Sequence, residues 1–195
     1  MRTIFAFDTA TRVTTCALVR DGELVGERLT DARSLLAAAD GLVRDAGLDH
    51  RDLDALVVGI GPGSFTSIRI GLATARGIGL ALGIPAAGVS TFHAFEGGIP
   101  VIDAKRGQVY TVHPATGGPA VGSPEELEVA ERRLVGDGAV RYRALFEAAG
   151  ADVPPDDDPA HSPAARLLVP HAAGYGPAEA IGPLYVRTPD AVPAR

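Results

Sequence analysis

Ala55-Leu56-Val57-Val58-Gly59, then Gly61-Pro62-Gly63-Ser64-Phe65-Thr66, then the long run Ser67–Leu82 decide the fold class of this chain. The first five residues are a short unbroken apolar run, the pattern of a strand buried on both faces of a parallel sheet. Glycines in the loop permit a tight turn that residues with a Cβ resist. The run beyond it is predicted helical as far as Gly83 and Pro85, with Arg69 and Arg76 as its only charges. Strand, glycine turn and helix in that order are a unit of an α/β protein. The loop admits two readings. Ser64 or Thr66 can simply cap the helix, the commoner case, or the free N–H groups at the helix start can receive an anion. Three familiar motifs are excluded: no Lys-Ser/Thr pair follows, Thr66 stands at the third glycine position, and Ser64 lacks the flanking glycines of a nucleophile elbow.

Working outward, Thr3–Asp8 reads as a strand, Thr9–Arg12 as a turn, and Val13–Arg20 and Glu23–Arg28 as a hairpin closed by Asp21-Gly22. Ala32–Ala46 carries Leu35, Leu36, Ala39, Leu42, Val43 and Ala46 at helical spacing, with Gly47 suited to the stop. Gly41 inside it costs about 1 kcal/mol in propensity, so packing must offset it. Ala86–Val89 is a further strand, and Gly97-Gly98 marks the expected boundary between a first lobe (1–98) and a smaller second lobe (99–195), whose last residues are free to return to the first. In the second lobe Pro100–Asp103 and Gln108–His113 read as strands. A helix is expected from Pro124, with Ser123 as cap and Glu126 completing a capping box. Leu134–Gly136 reads as a short strand, Val140–Ala149 as a helix, and Val153–Pro159, with three successive aspartates, as a solvated linker, a metal site being the lesser reading. Pro163–Ala173 reads as a helix interrupted at Pro170, and Leu184–Arg187 as a last extended piece.

Composition narrows the class. In 195 residues, 46% are apolar and 22% charged, so the chain has the means to bury a core. Twenty-four glycines and 15 prolines promise many turns. Lys105 is the only lysine, which removes Schiff-base or P-loop lysine chemistry elsewhere in the chain. One cysteine, Cys16, excludes an internal disulfide and fits a reducing compartment. No apolar run is long enough for a membrane span and the N-terminus lacks a signal-peptide pattern, so the expected location is the cytoplasm. A net charge of −6 argues against a large nucleic-acid surface of its own.

Asp8 and Asp103 each close the first strand of a lobe, an arrangement able to hold a metal–phosphate or a water across a cleft. Either residue alone reads better as the start of an Asx turn, a reading that loses ground for the pair. The five histidines are scattered and form no ligand spacing, which excludes metalloprotease chemistry. The helix Ser67–Leu82 bears two small-residue stripes, Gly71/Ala75/Gly79 and Ala73/Gly77/Ala81. A helix apolar on nearly every face needs cover on nearly every face: either it is wholly buried inside the monomer or, the favoured reading since helices flank open sheets, one side is left for a partner.

Four segments then carry a resemblance: Asp8-Thr9-Ala10-Thr11; Gly61–Thr66 with Ile68-Arg69-Ile70-Gly71; Asp103–Tyr110; and Pro183-Leu184-Tyr185-Val186-Arg187. In that order they resemble the TsaB (YeaZ) family of tRNA threonylcarbamoyladenosine biosynthesis. The resemblance implies an actin-like ATPase (ribonuclease H-like) α/β superfold of two lobes, the second reduced. It implies a non-catalytic subunit that pairs with TsaD and works with the ATPase TsaE, adding threonylcarbamoyl to N6 of adenosine 37 in tRNAs reading A-starting codons. It also implies homodimers through the first two helices, no cofactor of its own, ATP or ADP with Mg only in the assembled complex, and tRNA met only through that complex. Cleft residues are then Asp8, Thr9, Gly61, Gly63, Ser64 and Asp103. The expected partner face is Leu35, Leu36, Leu42, Ile68, Arg69, Leu72, Ala75, Arg76 and Gly79. Departures fall near that face: Asp31-Ala32 where relatives carry His-Ser, and Ser67 where they carry Gly. The rival reading is a self-sufficient kinase-like enzyme using Asp8, Ser64 and Asp103 around Mg-ATP. The second lobe lacks an adenosine-loop signature, which argues against it.

Overall fold

The structure, a computed structural model, describes residues 2–114 and 116–187. Its elements are β1 (Thr3–Asp8), β2 (Thr14–Arg20), β3 (Glu23–Thr30), α1 (Leu35–Asp45), β4 (Ala55–Gly59), α2 (Phe65–Leu82) and β5 (Ala86–Val89), followed by β6 (Ile99–Pro100), β7 (Ile102–Lys105), β8 (Gln108–Val112), β9 (Pro119–Gly122), β10 (Leu134–Val135), α3 (Asp137–Arg141) and α4 (Arg143–Ala148). The first five strands form one sheet in the order β3-β2-β1-β4-β5, with an antiparallel meander on one side of β1 and parallel strands on the other. The hairpin forms because Asp21 (φ 50°) and Gly22 (φ 87°) both take the left-handed conformation that a two-residue turn demands.

Alternation along β1 sorts its side chains into two cores. Phe5 and Phe7 point into the layer of α1 and α2, where they meet Leu18, Leu42, Leu56 and Leu72. Ile4 and Ala6 point the other way, into a core shared with Ile102, Tyr110 and Val135 of the second group of strands and with Leu168. Each fully buried Leu or Phe contributes about 1.5–3 kcal/mol, so β1 is held from both faces. That second group pairs as β7-β8-β9 and β10-β6, and Phe146 of α4 anchors a third cluster beneath them. A seven-residue 3-10 helix at Ala165–His171 lies across the back of β1 and β2. Arg166 holds it there, paired with Glu27 and Glu96 at 2.6 Å each.

Several expected boundaries move, each for a local reason. The first helix begins at Leu35 rather than Ala32, because the Asp31 side chain accepts from the Arg33 and Ser34 backbone N–H groups and holds a turn. Those bonds, led by one from the Ser34 hydroxyl, pull the Asp31 carboxyl below its ordinary value. The second helix starts two residues before Ser67, at Phe65. The helix expected from Pro124 is a single turn, Pro124–Glu126, since Ser123 makes no cap bond and no apolar stripe follows to pack. The helix expected over 140–149 is two short ones broken at Tyr142 (φ −110°, ψ 23°). β9 is an extra strand, and the strand expected over 100–103 is split at Val101 into β6 and β7. Pro163–Ala173 is helical only over Ala165–His171, as a 3-10 helix with Pro170 inside it.

Candidate functional site

The loop between β4 and α2 is built around Asp8. Its Oδ1 accepts from the Ala10 N–H at 2.7 Å and its Oδ2 from the Thr91 hydroxyl at 2.6 Å. Thr91 Oγ1 in turn accepts from the Gly61 N–H at 3.1 Å. The carboxylate therefore ties the end of β1 to the loop after β4 and the turn after β5. It is fully buried, and burial pushes its pKa up against the lowering effect of the Thr91 and Ala10 bonds. Gly59 makes the room, for a Cβ there would lie 1.7 Å from Asp8 Oδ2. Thr9 continues the tie: its hydroxyl donates to the Ser67 carbonyl at 2.7 Å and fills the space left by Gly71. Gly63 lets Ala10 approach, since a Cβ there would sit 2.2 Å from the Ala10 carbonyl oxygen.

Ser64 is the N-cap of α2. Its Oγ accepts from the Ser67 N–H at 3.4 Å and the Ser67 hydroxyl at 3.0 Å. In front of the cap lies a cavity of about 680 Å³ between the two groups of strands. Its walls are the Ala10–Arg12 turn, the Pro62–Ser67 loop, the Ile102–Arg106 segment with Tyr110 and Asp137, and Leu184–Arg187. Of the six cleft residues expected from sequence, Gly63, Ser64 and Asp103 reach this wall. Asp8, Thr9 and Gly61 stand behind it, because their polar groups serve the internal tie.

Asp103 is not a free carboxylate either. Lys105 donates to it through both its backbone N–H (2.9 Å) and its ammonium (2.7 Å), and Arg141 lies 3.6 Å away. Burial pushes the Asp103 carboxyl up, but the Lys105 bonds and the two cations outweigh it and hold it below its ordinary value. Neighbouring Asp137 accepts from the Asp103 N–H at 2.9 Å and is shifted upward, chiefly by burial. The Lys105-Arg106-Gly107 turn places three successive residues at positive φ (61°, 55° and 73°), a strained path for two side-chain-bearing residues that turns both cations toward the cavity. A Mg-bound nucleotide would need strand-end carboxylates presented to the cleft. With both Asp8 oxygens engaged inside the protein and Asp103 already paired, this residue set does not fit such a group. Arg106, Tyr185 and Arg187, which stand inside the quoted motifs without an assigned site role, and Asp137, which no motif contains, join the cavity wall.

The expected partner face divides. Leu35, Leu42, Ile68, Leu72, Ala75 and Gly79 are buried inside the chain's own core and offer nothing to a partner. The Gly71/Ala75/Gly79 stripe faces inward, with Gly71 against Thr9 and Gly79 against Ala178. Leu36 is 60% exposed, whereas Arg69 and Arg76 are engaged by the chain's own segment around Ile181–Tyr185. The open side of α2 is the other stripe: Ala73, Gly77 and Ala81 are exposed beside Ile70 (40%) and Leu80 (77%), and a Cβ at Gly77 would meet nothing within 4 Å. Among the described residues no helix is long and apolar enough to cross a membrane.

A meander sheet continued in parallel, joined to a second set of strands across a cleft, is the actin-like (ribonuclease H-like) α/β fold. A solved structure from Pseudomonas aeruginosa, described as an uncharacterized protein with similarity to peptidase YeaZ, superimposes with a TM-score of 0.78 at 25% identity, over 96% of this chain and 100% of that one. An uncharacterized protein of Mycobacterium tuberculosis is 38% identical over 98% of this chain and 94% of its own length. The tRNA threonylcarbamoyladenosine biosynthesis protein TsaB of Bacillus subtilis is 35% identical over 56% of this chain and 53% of its length, so that likeness spans about half of each. The family model for TsaD, tRNA N6-adenosine threonylcarbamoyltransferase, matches residues 31–118. The chain belongs to the TsaB (YeaZ) family.

Proposed function

We propose that this chain serves in the synthesis of threonylcarbamoyladenosine in tRNA as a subunit that activates TsaD and performs no transfer itself. The observation that carries the reading is the internal tie at Asp8. The strand-end carboxylate of the first lobe, which a phosphotransfer cleft would need, is engaged with Ala10 and Thr91, so the loop serves as a structural joint. The likeness to TsaB proteins across about half of the chain supports the pathway. In this reading TsaD docks on the outer sides of α1 and α2, over Leu36, Ile70, Ala73, Gly77 and Leu80, where small residues permit close helix approach. A homodimer uses the same face and competes with TsaD. TsaE joins the complex, ATP or ADP with Mg is met on the partners' residues, and the partners make the main contact with tRNA, as a net charge of −6 favours. The setting is the cytoplasm. Co-purification tests the docking: wild-type chain retains TsaD, and Gly77→Glu loses it while keeping its fold. Retention of TsaD by that variant would move the interface elsewhere.

One observation favours a second reading, that of a small ATP-binding enzyme: the cavity is rimmed by Arg12, Lys105, Arg106 and Arg187. Calorimetry of the isolated chain with ATP separates the two, since the subunit reading expects no ATP turnover.

A further inference from the structure

The segment Ile181–Arg187 has neither helix nor strand, yet it spans the molecule from α2 to β8. Ile181 and Val186 rest half-buried against the edges of the two cores, and its other fastenings are mainly side-chain contacts nearer the surface. Arg76 donates to the Ile181 carbonyl at 3.0 Å, and Arg69 donates to the Tyr185 hydroxyl at 2.9 Å. The Tyr185 ring stacks on Phe65 at 5.0 Å between centroids, and the Arg69 guanidinium lies 3.7 Å from the centre of the Phe65 ring. Arg187 bonds to the side chain of Gln108. Two backbone bonds complete the set, Leu184 N–H to the Ile60 carbonyl at 2.8 Å and, locally, Ile181 N–H to the Ala178 carbonyl at 3.3 Å. Gly61 accommodates the crossing, because a Cβ there would stand 3.0 Å from the Leu184 carbonyl oxygen.

We infer that Ile181–Arg187 is a releasable strap that closes the cleft and, by the same contacts, covers the first turns of α2. It forms one wall of the cavity, and it occupies Phe65 and Arg69 on the helix beside the open Ala73/Gly77 stripe. An ordered segment held by a few partly exposed clips opens at far lower cost than strands buried on both faces. Two sites then share one moving element. A protein that settles on Phe65 and Arg69 must displace the strap, and the same displacement opens one wall of the cleft. This inference goes beyond the proposed function: the opening itself requires no particular partner.

Native-state hydrogen exchange on the full chain tests it without one. The Leu184 amide, whose bond to Ile60 reports strap closure, exchanges at least about a hundredfold faster than the amides of β4, which are lost only on deeper unfolding. Tyr185→Ala removes the stack and the Arg69 bond and speeds Leu184 exchange about tenfold further, leaving β4 unchanged. Tyr185→Phe keeps the ring, poses no threat to folding, and gives a smaller rise at Leu184 alone. If Leu184 and the β4 amides exchange together, or if both substitutions move them equally, the segment is part of the cooperative core and the strap is refuted.

Discussion

Replacing Asp8 distinguishes a structural joint from a catalytic carboxylate. Asp8→Ala leaves two buried donors, the Ala10 N–H and the Thr91 hydroxyl, without their acceptor. Each unsatisfied buried donor costs about 1–3 kcal/mol. Relief of a buried charge returns part of that, so the expected loss is about 3–5 kcal/mol, a large share of the stability of an ordinary domain. Asp8→Asn keeps one acceptor for Ala10 and a donor toward Thr91 Oγ1, and should cost about 1–2 kcal/mol. The pH dependence follows from the upward shift of the folded carboxyl. A native state that holds this proton more tightly than the unfolded chain gains most below the ordinary value of 3.8, and loses that gain as pH rises through the folded value. The stability difference between wild type and Asp8→Asn therefore narrows as pH is raised from 4.5 toward 7.5. Urea unfolding followed by circular dichroism at both pH values measures it. An Asp8→Ala protein within about 1 kcal/mol of wild type, or a difference that widens with pH, would mean that Asp8 is held charged for a ligand.

Three other outcomes follow. Gly77→Ala adds a methyl in open space and should stabilise the fold by up to about 1 kcal/mol through helix propensity; Gly71→Ala, whose Cβ would lie 2.5 Å from Thr9 Oγ1, should destabilise by about 1–3 kcal/mol. Thermal unfolding reads both, and equal effects would contradict the assignment of inward and outward stripes. Cys16 is buried and its thiol is pushed up to about 11, mainly by burial, so a disulfide reagent at pH 8 should label it only at the rate of unfolding; rapid labelling of the native chain would contradict its placement. Lys105→Met should raise the titration of Asp103, seen in its carboxyl carbon resonance. Below the folded value that carboxyl is protonated and its contribution to stability is lost, so the variant should lose it at a higher pH than wild type. No change in the Asp103 titration would remove Lys105 as the cause.

The parts of the fold readable from sequence were those with a local cause. Asp21-Gly22 had to turn as it does, and the glycine loop before α2 had to pass close to other backbone. Helix α2 was visible, but its orientation was not. Both of its small-residue stripes repeat every fourth position, and only Thr9 and Ala178 reveal which one lies inside. Its start was ambiguous because Ser64 and Thr66 are both capable caps, and the Ser64 N–H is fixed by the Ala10 carbonyl from a distant turn. The inward turn of Asp8 was hidden for a related reason: its partner, Thr91, lies 83 residues away. Around Pro124 the local capping signals were present, but no apolar stripe gave a helix anything to pack against. The docking of Ile181–Arg187 on α2 left no periodic trace, since a segment without regular structure has no period to detect.

The account stands or falls on whether this chain works only through a partner. The direct measurement is mass analysis of tRNA nucleosides after incubation with a supply of the threonylcarbamoyl donor, comparing this chain alone, TsaD alone and the two together. Threonylcarbamoyladenosine should accumulate only with both proteins, and Gly77→Glu should abolish it while Tyr185→Phe leaves it intact. Product formed by this chain alone, or by TsaD equally well without it, would contradict the central claim.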